Sequence, residues 1–77
     1  MTTPEAISRA MSGQVKAAVK AAGISQADLA ARTGISLAAL SRKLNHRAPF
    51  KVGELGAISE ALGVSLTVLA QRAEQAA

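Results

Sequence analysis

The side chains of this sequence that could do chemistry are mostly cationic, and five of them are gathered in one stretch. Arg32, Arg42, Lys43, Arg47 and Lys51 fall between Asp28 and Glu54, with no acidic residue among them. The other acids, Glu5, Glu60 and Glu74, lie outside that window, in a chain of formal charge +4. Segregated charge of this kind is the electrostatic footprint expected of a face that binds a polyanion. Few other chemistries are open. Cysteine is absent and His46 is the sole histidine, which removes disulfides, thiolate zinc sites, thiol nucleophiles and histidine clusters together. Glu54 and Glu60 could face each other only loosely on one helix, and no nucleophile–base pair is visible. Neither an enzyme nor a cofactor is expected.

These residues need elements to hold them. A chain of 77 residues is read as one domain with a thin core. It is rich in alanine and leucine, has Phe50 as its only aromatic residue, and nowhere alternates valine or isoleucine with polar residues over a strand length. The reading is all-α. Thr3 is a hydroxyl N-cap followed by Pro4 and Glu5, and Ile7, Met11, Val15, Ala18, Val19 and Ala22 recur on one face before Gly23. Ser12-Gly13 interrupts that pattern, so residues 1–10 are expected as an extension, frayed or kinked at the Ser-Gly step. Ser25 opens a short helix with Leu29, Ala30 and Thr33 inward, and Gly34 closes it. Ser36 caps a third helix with Leu37, Leu40 and Leu44 on one side. Asn45 to Pro49 form a polar loop, Phe50 plugs the core, and Val52, Leu55, Ile58 and Leu62 mark a fourth helix stopped by Gly63. Ser65 caps a last helix with Leu66, Leu69, Ala70 and Ala73, fading into a frayed tail at residues 74–77.

The second and third helices, joined by a short turn containing glycine, have helix-turn-helix spacing over Ser25 to Arg47. The steep crossing needs a very small side chain, supplied by Ala30. The turn needs a residue that tolerates positive φ, supplied by Gly34, and an anchor to the core, supplied by Ile35. The second helix of the pair must bury one side, with Leu40 and Leu44, and show the other, with Ala38, Ala39, Ser41, Arg42 and Asn45.

With those features in place, the stretch SQADLAARTGISLAALSRKLNHR resembles the DNA-binding core of the λ-repressor/Cro (XRE) family, and LGAISEALGVSLTVLA resembles that family's fourth and fifth helices. The resemblance spans roughly Met11 to Ala73. It implies a compact five-helix fold, a recognition helix in the major groove of double-stranded DNA, and dimeric binding to inverted repeats. Gln26 resembles the glutamine that opens the family's first motif helix and bonds a backbone phosphate. Ser25, Gln26, Lys43, Asn45 and Arg47 are the expected phosphate contacts. Leu37, Ala38, Ser41 and Arg42 occupy positions that reach base edges, Arg42 being the best candidate for a bidentate contact with guanine. Two residues depart from the pattern: Leu37 stands where several relatives have a polar base reader, and Lys43 where many have an apolar core residue.

One recognition helix buries too little surface for tight specific binding, so a homodimer is expected, joined through the last helix by Leu66, Val68, Leu69 and Ala73. The expected role is a transcriptional regulator, a repressor on an inverted-repeat operator. No room is left for a self-cleaving or ligand-sensing second domain, which fits a phage Cro or short immunity repressor. The alternative is an antitoxin-type or other protein-interaction module. No apolar run nears membrane-spanning length and the MTTPEA start lacks the blocks of a signal peptide, so a cytoplasmic protein with no membrane or small-molecule partner is expected.

Overall fold

Hydroxyl caps and left-handed stops divide the chain much as its spacing predicts. The computed structural model describes residues 3–77 and places them in α1 (Pro4–Ala22), α2 (Gln26–Thr33), α3 (Leu37–Leu44), α4 (Val52–Leu62) and α5 (Leu66–Ala76), with no strand among the described residues. The fold is all-α, as read from the sequence. Thr3 Oγ1 accepts the Ala6 N–H at 3.0 Å, and the Ser25 and Ser36 hydroxyls accept from Asp28 and Ala39 at 3.0 and 3.2 Å. Each bond of this kind satisfies a backbone donor that the helix leaves orphaned, worth about 1 kcal/mol. Ser65 holds the N-cap position of α5 but makes no side-chain cap bond.

Eight buried residues form the central cluster: Val15 and Val19 of α1, Leu29 and Ala30 of α2, Leu40 and Leu44 of α3, and Leu55 and Ile58 of α4. Met11, Ile24, Ile35, Phe50, Leu62 and Leu66 pack against it, half-buried. Burying a leucine fully is worth roughly 1.5–3 kcal/mol, and each of the first four helices contributes two residues to the cluster. Helix α3 is therefore held by the core of the whole domain rather than by α2 alone. Among the described residues, no single helix is long and apolar enough to cross a membrane.

The structure corrects several expectations. Helix α1 runs unbroken through Ser12-Gly13, because Ser12 lies 1% exposed inside the packed face and that burial outweighs the weak helix propensity of the pair. Val52 is 77% exposed rather than part of the α4 stripe, since it is the first helical residue and precedes the point where α4 meets the core. Leu69 and Ala73, expected at a dimer interface, are 1% and 0% exposed within the monomer, on a helix that lies chiefly against α1. Their surface is spent on the fold. Residues 74–76, expected to fray, continue α5, and Ala77 donates to the Ala73 carbonyl at 3.0 Å.

Candidate nucleic-acid interface

Helices α2 and α3 are joined by a turn that local chemistry fixes tightly. Gly34 takes φ 76° and ψ 7°, and its N–H donates to the Ala30 carbonyl at 2.9 Å, closing α2. That backbone conformation is one that side chains with a Cβ adopt at a cost of roughly 1–2 kcal/mol. The Thr33 hydroxyl donates to the Leu29 carbonyl at 2.8 Å and accepts the Ile35 N–H at 3.4 Å, so one side chain ties the end of α2 to the turn. Helical spacing puts Thr33 on the inward side of α2 but does not reveal this role. Ala30 is 8% exposed, so the small residue at the expected crossing point is indeed buried.

The two faces of α3 follow from 3.6-residue spacing. Leu40 and Leu44 are 0% and 1% exposed, whereas Ala38, Arg42 and Asn45 are exposed and Ala39 and Ser41 half-buried. The rotational phase is thus the expected one despite Lys43. Leu37 does not share the buried side. It stands 49% exposed on the first turn of α3, an apolar surface beside Ala38. Ser25 and Gln26 are both exposed at the start of α2, where first-turn N–H groups and the helix dipole favour an anion. The exposed set therefore includes every residue expected at base or phosphate except Ser41 and Lys43, which are half-buried.

Asn45 and His46 end α3. The Asn45 side-chain amide donates to the Ser41 carbonyl at 2.9 Å, so part of its donor capacity is already used on α3. His46 has φ 63°, the one positive value outside glycine among the described residues. Its N–H donates to the Lys43 carbonyl at 3.2 Å, and the Arg47 N–H reaches back to the Arg42 carbonyl at 2.9 Å. This left-handed stop projects the exposed Arg47 just past the helix end. In the sequence His46 has the look of a plain loop residue. A glycine-type stop carried by histidine leaves no compositional mark.

Lys43 is the expected phosphate contact that the structure places elsewhere. Its ammonium donates to both carboxylate oxygens of Glu54, at 2.6 Å to Oε1, and the two side chains are 12% and 20% exposed. Glu54 Oε1 also accepts the Lys51 backbone N–H at 2.7 Å, capping α4 from its first turn. The Lys43 ammonium, and after it the Lys51 N–H, hold the Glu54 carboxyl below its ordinary pKa. No other salt bridge occurs among the described residues. Lys43 is therefore engaged with α4 and nearly enclosed, because its position on the flank of α3 lies between the buried and exposed faces.

No group of three or more His, Asp or Glu side chains among the described residues could hold a metal. A cleft of about 420 Å³ lies between the first turns of α1 and the loop at residues 46–49, and no residue of α3 lines it.

A family model described as helix-turn-helix matches residues 15–69 of the chain. No curated protein and no solved structure matches it.

Proposed function

Since the chain belongs to the XRE-type helix-turn-helix family, a family of DNA-binding regulators, we propose that it regulates transcription as a repressor, reading double-stranded DNA with the exposed face of α3. The observation that carries this is the composition of that face. Arg42 projects from the middle of an exposed strip between Ala38 and Asn45, on a helix whose opposite side is locked into the core. Such a helix enters a major groove as a rigid body, with a guanidinium able to meet guanine O6 and N7 together. Ser25, Gln26 and Arg47 flank it at the start of α2 and beyond the end of α3, suited to the phosphates on either side.

The active form is a homodimer on an inverted repeat, with half-sites about one helical turn (~34 Å) apart. Of the four residues expected at the two-fold contact, Leu66 and Val68 keep exposed surface. They are the residues of α5 through which copies meet, since Leu69 and Ala73 are spent inside the monomer. Selection of bound sequences from a random duplex pool tests this reading. It predicts an enriched palindromic site whose affinity falls steeply with added salt, because neutralised phosphates release counterions. Failure to enrich any duplex, or affinity indifferent to salt, would instead favour a protein partner.

A further inference from the structure

The pair Lys43–Glu54 sits where the reading helix meets the start of α4, and it has a consequence for specificity that rests on the DNA-binding reading above. Lys43 belongs to α3 and Glu54 to the first turn of α4, and the segment between them carries Asn45, His46 and Arg47. A single carboxylate thus holds the flank of the reading helix and, through the Lys51 N–H, the far end of the connecting loop. Both side chains are largely enclosed, and each neutralises the other at hydrogen-bond distance.

A lysine on the side of a recognition helix ordinarily contributes to affinity for any duplex, because it neutralises a phosphate whatever the sequence. Here that charge is matched by an acid within the same protein, so it has no counterion to release from DNA. We infer that Glu54 is a specificity-determining residue, which positions the reading helix and withholds Lys43 from the phosphate backbone. Binding to random DNA is thereby held down while Arg42 remains free to act on bases. Discrimination rises because indiscriminate affinity is removed, not because a base contact is added.

The test compares the wild-type protein, Glu54→Gln, and the double variant Lys43→Met with Glu54→Gln. Each is titrated with a random-sequence duplex and with a selected duplex at several salt concentrations, after circular dichroism shows that it is folded at the assay temperature. Glu54→Gln frees one cation in each protomer, so the slope of log affinity against log salt on random DNA should steepen by about 0.9 for every protomer bound. Between 50 and 200 mM salt, that makes its loss of affinity roughly 3.5-fold larger than that of the wild type for one bound protomer, and about 12-fold for a dimer. Its preference for the selected duplex should fall. The double variant should return to the wild-type slope, since both charges are gone and neither reached a phosphate. A double variant with a slope shallower by about 0.9 for every protomer bound would mean that Lys43 contacts phosphate in the wild type, which overturns the inference and leaves the DNA-binding reading intact. A wild-type slope for Glu54→Gln overturns it equally. If Glu54→Gln does not fold, the double variant decides between the same two results. Absence of salt-dependent duplex binding by the wild type overturns the DNA-binding reading, and this inference with it.

Discussion

Replacing Gly13 and Gly34 by alanine, separately, should move stability in opposite directions. A methyl group built at either position meets no atom within 4 Å, so space does not distinguish them. The backbone does. Gly13 lies in the interior of α1 with ordinary helical geometry, where alanine is favoured over glycine by about 1 kcal/mol. Gly34 sits at φ 76° in the turn between α2 and α3, where a Cβ costs roughly 1–2 kcal/mol. For a domain of this size each kcal/mol corresponds to about 4–8 °C in Tm. Gly13→Ala should therefore melt about 4–8 °C higher and Gly34→Ala at least about 4 °C lower, read by circular dichroism at 222 nm. Duplex affinity adds a second readout. Gly13→Ala should bind as the wild type does, since Gly13 lies on α1, outside the α2–α3 pair. Gly34→Ala should weaken binding even where the variant is fully folded, because relief of strain in the turn shifts α3 against α2. Two shifts of the same sign, or a Gly34→Ala protein with wild-type melting and binding, would refute the claim that the left-handed turn sets the motif.

Three further outcomes follow from particular residues. His46→Gly should stabilise the protein by up to about 1 kcal/mol, because glycine takes the left-handed stop of α3 without Cβ strain; an unchanged or lower Tm would contradict that. Ser59 is 9% exposed and its hydroxyl has no hydrogen-bond partner among the described residues, so Ser59→Ala should be neutral or stabilising by about 1 kcal/mol in chemical denaturation. Glu54 has a folded-state pKa below its unfolded value, so its stabilisation is present above the unfolded pKa and is lost as pH falls through the folded one. Urea midpoints should fall on acidification below about pH 4.5, and Glu54→Gln should flatten that fall; an identical acid profile in the variant would argue against the ion pair.

How legible these features were in the sequence depends on the range of the interaction behind each. The caps at Thr3, Ser25 and Ser36 and the stop at Gly34 are decided within three or four residues, and all four act as their positions suggest. The buried side of α3 was equally readable, because Leu40 and Leu44 recur at helical spacing whatever the rest of the chain does. Periodicity marks an apolar stripe but does not say what covers it. Leu69 and Ala73 were therefore expected between two copies, although α1 covers that side of α5 within one chain. Val52 fits the same stripe rule and stands in solvent, because spacing does not show where a helix first meets the core. The bond between Lys43 and Glu54 joins two helices across eleven positions and belongs to no local pattern. The one local signal is a lysine at a position of α3 where the family resemblance implies an apolar residue. Such a side chain can bury its stem only if its ammonium finds an acid, and Glu54 is the next acid along the chain.

The central claim, that the exposed face of α3 reads base edges in duplex DNA, is tested most directly by Arg42→Ala. Its affinity is measured on a selected duplex, on that duplex with each base pair changed in turn, and on random DNA. The account predicts a loss of roughly 1–3 kcal/mol per half-site on the selected duplex, a much smaller loss on random DNA, and a preference relaxed at one base pair per half-site. Equal losses on selected and random duplexes would contradict it. They would make Arg42 one more phosphate contact and leave α3 without a base reader.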